Sequence, residues 1–163
     1  MKFGVLCWFR VGHLIAGVMC KGSSMYYHYF EDWVVKPDFK KEFISLWSGW
    51  LGKEDYHKLD EVTENEWQRF NQLIELISED YKIELVSCDK ERLIPITDVR
   101  SVLSSYEEAM EKDSSLFSKF VVPELGCVIS EEWDYTYILW YKSNDVVEKL
   151  SPYIKLSNLC HFS

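Results

Sequence analysis

The hydrophobic and polar positions of this chain follow two different periods, and the change between them divides it into helices and strands. The clearest helix opens at Thr63, where Glu66 three residues on completes a capping box. Trp67, Phe70, Leu73, Ile74 and Ile77 then form one apolar stripe at helical spacing. Pro37 is expected to sit in the first turn of another helix, where its missing N–H costs nothing. On that helix Phe39, Phe43, Trp47 and Trp50 fall four, four and three residues apart, and Gly49 and Gly52 end it. Thr97 or Asp98 starts a third helix, carrying Val99, Val102, Leu103, Tyr106 and Met110 and stopping near Lys112. Ser143 or Asn144 caps a short fourth through Leu150, which Pro152 breaks.

The strand signals lie around these helices. Lys2–Phe9 is rich in Val, Phe and Trp, Lys82–Cys88 alternates, and Lys155–Phe162 is suited to a closing strand. Gly126–Ser130 and Tyr135–Tyr141 are read as a hairpin turning at Glu131–Asp134. Val11–Cys20 fits a strand or a buried helix, with Gly12 and Gly17 against either. Lys21–Ser24 reads as a turn, and the aromatic run Met25–Phe30 as a strand or sheet edge. Asp89–Arg92 is a charged turn, and Glu54–Glu61 an irregular acidic connection. These elements predict an α+β fold, a mainly antiparallel sheet packed against three or four helices. With 163 residues and no linker or repeat, one domain spanning 1–163 is expected.

Charge changes the picture. Residues 1–53 hold seven Lys or Arg against four Asp or Glu, a net +3, and residues 54–163 hold eleven against twenty-three, a net −12. An acidic chain lacks the basic footprint that nucleic acids and anionic membranes require. It is suited to attracting a basic partner, although the same charge also keeps a surface solvated. The seven Trp, ten Tyr and nine Phe exceed what one core of this size needs, which places some at the surface, where Trp and Tyr anchor protein partners. Five scattered cysteines (Cys7, Cys20, Cys88, Cys127, Cys160) suit reduced thiols and a cytoplasmic location, with no disulfide. The apolar stretches Phe3–Phe9 and Leu14–Cys20 are split by Arg10 and His13, too broken for a secretory signal or a membrane span.

Motifs for chemistry are missing. No glycine-rich phosphate loop, paired cysteines, His-Glu-x-x-His or Gly-x-Ser-x-Gly occurs, so no catalytic residue, cofactor or metal is assigned. Cys160 and His161 could join His28 or His13 at a metal, but adjacent strand residues face opposite ways. Two stretches carry candidate binding residues. The first is Glu131, Glu132, Trp133, Asp134, Tyr135 and Tyr137 at the hairpin tip, where acids beside aromatics suit an Arg or Lys of a partner. The competing reading has Trp133 folded onto the core and the carboxylates solvating a turn. The second is Asp55, Tyr56, Asp60 and Glu61, which also reads as an ordinary acidic connection.

In its acidity, its Glu131–Tyr137 stretch and its lack of catalytic signatures, the chain resembles bacterial immunity proteins of contact-dependent and polymorphic toxin systems. The resemblance is one of overall character, without an aligned motif. It implies a non-catalytic cytoplasmic protein that covers the basic surface of a cognate toxin domain, often a nuclease. A phage-type acidic inhibitor or nucleic-acid mimic would instead present carboxylates at phosphate-like spacing. A small enzyme or ligand-binding domain would need a deep pocket with convergent polar groups.

Overall fold

In a strand buried on both faces, the alternation of apolar and polar residues gives way to a continuous apolar run. Phe120–Val122 and Cys127–Ile129 are such runs, and they lie at the centre of the molecule. The computed structural model describes residues 21–163. The expected strand Lys2–Phe9 and the segment Val11–Cys20 lie outside the described residues. In chain order the elements are α1 (Lys21–Tyr29), β1 (Phe30–Glu31), β2 (Val34–Val35), β3 (Lys40–Ser45), α2 (Glu64–Asp80), β4 (Glu84–Ser87) and β5 (Arg92–Pro95). Then follow α3 (Tyr106–Glu111), β6 (Lys119–Val122), β7 (Cys127–Glu132), β8 (Thr136–Tyr141), α4 (Asp145–Leu156) and β9 (Cys160–Phe162). Short 3-10 segments occur at Lys53–Leu59, Val99–Val102 and Ser114–Leu116.

The fold is α+β. Seven antiparallel strands run in the order β5-β4-β6-β7-β8-β3-β9, and β1 pairs with β2 in a separate small hairpin. One face of the sheet presents Phe120, Val122, Cys127, Ile129, Tyr137, Leu139 and Ile44. These join Trp67, Phe70, Leu73, Ile74 and Ile77 of α2 and Val146, Leu150 and Ile154 of α4 in the main core. On the opposite face Val121, Val128 and Leu93 pack with Tyr26 and Tyr29 of α1, Phe30, Val35 and Phe39. Burying one such large side chain contributes about 1.5–3 kcal/mol. Among the described residues no helix is long and apolar enough to cross a membrane.

The Thr63–Glu66 capping box and the stripe of α2 are as the spacing requires. Four other elements differ from expectation. Lys21–Tyr29 is helix, not a turn followed by a strand: Tyr26 and Tyr29, three apart, are buried, while Met25, Tyr27 and His28 face water. An unbroken aromatic run hides its period, and the sheet face decided it. The helix expected after Pro37 is strand β3. A spacing of four is an even number, so Phe39, Phe43 and Trp47 fit a strand face as well as a helix face. Pairing with β8 and β9 selects the strand. The helix expected from Val99 to Lys112 is broken at Leu103–Ser105. Trp67 Nε1 and Asn71 Nδ2 both donate to the Ser104 carbonyl (2.9 Å each), and Ser105 with Glu108 forms a second capping box. Finally, α4 runs through Pro152 to Leu156. Pro152 and Glu148, whose carbonyl loses its donor, are exposed to water, while buried Leu150 and Ile154 hold the helix to the sheet. Asn144 occupies the N-cap position, but its Oδ1 accepts from Lys40 Nζ (3.0 Å). The closing strand is thereby reduced to Cys160–Phe162, and β5 and β6 are strands the pattern did not announce.

Cys88, Cys127 and Cys160 are free thiols. Burial pushes the Cys127 thiol up to about 12, so it stays protonated and shielded at neutral pH. A maleimide at about pH 8 is expected to modify the partly exposed Cys88 and Cys160 and to reach Cys127 only after unfolding. Peptide mass mapping with and without urea checks this; rapid labelling of Cys127 in the folded protein would contradict its burial.

Candidate functional site

The hairpin of β7 and β8 ends with Glu132 opposite Thr136, so its turn is Trp133, Asp134 and Tyr135 and not the expected Glu131–Asp134, because Glu131 and Glu132 continue the ladder of β7. Asp134 (φ 56°) and Tyr135 (φ 52°) both adopt the left-handed conformation, which Asp tolerates and a bulky aromatic rarely does. Surrounding groups hold this turn. Thr136 Oγ1 donates to the Asp134 carbonyl and Ser45 Oγ of β3 to the Tyr135 carbonyl, both at 3.2 Å. The Tyr135 hydroxyl lies 3.4 Å from both Tyr106 Oη and Met110 Sδ. Its ring meets Trp47 edge-on with centroids 6.5 Å apart. Partial burial, reinforced by the Tyr106 hydroxyl, pushes the Tyr135 hydroxyl well above the usual phenol range.

The candidate residues of this stretch separate by strand parity. Glu131 stands opposite Tyr137, and both point into the main core. Glu131 is 4% exposed, 2.6 Å from Lys112 Nζ, and accepts from the Ser118 N–H (2.9 Å). Tyr137 is buried against Trp67 and Phe70. Both are corrected from partner contacts to structural residues, since neither is open to a partner. Glu132 is half-buried on the other face, where burial raises its carboxyl and Ser130 Oγ donates to it. Trp133 is 60% exposed, resting edge-on against Phe117, and Asp134 is exposed beside it.

The acidic stretch forms the 3-10 turn Lys53–Leu59. Asp55 is paired with Lys58 (2.7 Å), which holds its carboxyl below the usual range. Tyr56, Asp60 and Glu61 are exposed, with Glu61 4.0 Å from His57. This turn packs beside the hairpin tip. A cleft of about 280 Å³ is lined by Trp47, Trp50, Tyr56, Leu59 and Asp134. A neighbouring one of about 240 Å³ is lined by Leu59, Asp60, Met110, Phe117, Trp133 and Asp134. The two candidate stretches therefore share one face, with Asp134 at the border of both clefts. Trp47, Trp50, Met110 and Phe117 complete this face without having been singled out. Trp47 and Trp50 had been placed on the apolar side of a helix, whereas beyond the end of β3 they line the cleft.

Two other arrangements carry chemistry-bearing groups. An open groove of about 680 Å³ between the end of α2 and the β4–β5 edge is lined by Glu79, Asp80, Glu84 and Glu124. Two of these are engaged, Asp80 by the Tyr153 hydroxyl (2.6 Å) and Glu124 by the Lys82 N–H (3.4 Å). Ser151 Oγ lies 3.2 Å from His161 Nε2, and His161 Nδ1 lies 3.3 Å from Glu42 Oε1, the connectivity of a hydrolase relay. The second link is too poorly aligned to be a hydrogen bond, leaving His161 Nδ1 and Glu42 Oε2 unpartnered. None of the clefts described above is lined by these three residues, and their contacts tie β9 to α4 and β3. Among the described residues no three His, Cys, Asp or Glu converge to hold a metal ion. No protein-family model matches the chain, and no curated protein or solved structure shows significant similarity to it.

Proposed function

We propose that this protein acts by binding a basic protein partner through the face around the β7–β8 turn, as an immunity-type inhibitor covering a toxin domain in the cytoplasm. The observation that carries the proposal is the meeting of the two acidic, aromatic stretches at Asp134. Trp50, Tyr56 and Trp133 remain exposed there, with the carboxylates of Asp60 and Asp134 at the same two clefts. Exposed aromatics beside clefts supply anchors, and carboxylates around them supply steering. The net −12 of residues 54–163 extends that field over the surface carrying most of the face.

Kinetics test this reading. The partner to measure is the product of the neighbouring gene, co-expressed and purified. Asp60→Asn with Asp134→Asn is expected to slow association and flatten its dependence on ionic strength. Trp133→Ala is expected to speed dissociation, weakening the complex by about 2 kcal/mol or more, with little effect on folding. Tight binding indifferent to all three substitutions would overturn the proposal. So would turnover of a small molecule by the purified protein alone.

A further inference from the structure

The cleft on the β3 side of the turn has a more specific chemistry than the face as a whole. Its walls are the aromatic side chains of Trp47, Trp50 and Tyr56, its floor includes Leu59, and Asp134 stands at its border. At about 280 Å³ it falls just below the roughly 300–1,000 Å³ of clefts that enclose drug-sized ligands. That is room for one side chain. Trp50 and Tyr56 are 65% and 55% exposed, so the walls are open to a visitor. Trp50 is nonetheless held in place, edge-on to Phe43 and Phe162 with centroids 4.6 and 5.3 Å away.

Aromatic walls attract a cation over their faces, and a carboxylate at the rim adds charge and hydrogen-bond acceptors. Among the described residues Asp134 forms no ion pair, and the nearby Lys58 is committed to Asp55. The carboxylate sits on a turn whose two carbonyls are pinned by Ser45 and Thr136, so it is presented on a fixed backbone. A flat guanidinium stacks on aromatic rings and donates a two-pronged fork to a carboxylate. An ammonium is more strongly hydrated and does neither as well.

We infer that this cleft is a receptor for one arginine side chain of the partner, with the guanidinium between Trp47, Trp50 and Tyr56 and its fork on Asp134. This rests on the reading of the face as a protein-binding surface and specifies what the partner must insert there.

The test uses the full chain and a small probe, ethylguanidinium chloride, titrated at constant ionic strength. Ethylurea serves as the neutral isostere. Binding is read from the indole N–H signals of Trp47 and Trp50 in a two-dimensional NMR spectrum. Both signals are expected to move saturably with ethylguanidinium and to respond far less to ethylurea. Asp134→Asn removes the charge while keeping a residue that tolerates the left-handed conformation, and a dispersed spectrum confirms its fold. It is expected to weaken ethylguanidinium binding about tenfold. Equal responses to the two probes, or an Asp134→Asn titration matching the parent, would overturn the arginine receptor. If that happened while Trp133→Ala still weakened the partner complex, the binding face would stand without it. Loss of both effects would remove the face as well.

Discussion

Replacing Lys112 by methionine is expected to lower the stability of the fold by about 3–5 kcal/mol, the cost typical of breaking a buried ion pair. Lys112 and Glu131 lie 2.6 Å apart with side chains only 10% and 4% exposed, so water screens neither charge. Lys112 also donates to Ser104 Oγ (3.0 Å), at the break that separates α3 from the 3-10 turn before it. Without the ammonium, Glu131 would keep the Ser118 N–H as its donor and remain a buried, uncompensated charge. Adding Glu131→Gln to Lys112→Met should restore at least half of the loss, because the amide oxygen can still accept from Ser118 while the charge is gone. Urea denaturation of the parent, single and double variants measures this. A single-variant loss below about 1 kcal/mol would mean that water reaches the pair, as for an ordinary surface ion pair.

The second large effect falls two strand positions past the turn. Tyr137→Ala is expected to cost about 3–5 kcal/mol by emptying space between Trp67 and Phe70. Trp133→Ala, on the same hairpin, should change stability by about 0.5 kcal/mol or less, since its ring is 60% exposed and rests on Phe117 at the surface. Thermal or urea unfolding of the two variants separates the roles that their neighbouring positions conceal. Equal destabilisation by both would place Trp133 in the core.

The contrast shows what could be read from the residues and what needed the fold. Local chemistry was legible where it acts alone: Thr63 and Glu66 announced the start of α2, and the apolar runs flanking residues 131–134 announced a hairpin, although its turn lies at Trp133–Tyr135. It failed where two periods coincide. The Phe39–Phe43–Trp47 spacing satisfies both helix and strand, and only β8 and β9 alongside it make the choice. Tyr26 and Tyr29 became one face of a helix because the sheet offered Val121, Val128 and Leu93 as partners. The ending of α4 was misplaced because Pro152 costs the helix one hydrogen bond without ending it: Pro152 and Glu148 face water, while buried Leu150 and Ile154 hold the helix to the sheet. The site divided in a similar way. Trp133 and Asp134 could be found from the turn, but Glu131 could not be told from them without knowing its partner Lys112, nineteen residues away. Trp47 and Trp50 were missed because a loop gives aromatic residues no period that reveals their exposure.

The parity of β7 and β8 also separates two kinds of constraint that the linear sequence interleaves. Glu131 and Tyr137 answer to the interior, while Trp133, Asp134 and the 3-10 turn at Lys53–Leu59 answer to the exterior. On the proposed reading of this face, recognition can change without dragging stability with it, because the exposed Trp133 can be exchanged while the strands beneath stay constant, and Asp134 can give way to residues that tolerate its left-handed backbone. Two relatives sharing this scaffold could then part company in the molecule they bind through replacements at positions 56, 133 and 134 alone. If the face binds as proposed, the exposed rings at positions 56 and 133 are the ones that can be exchanged between scaffolds of this shape to carry specificity along with them.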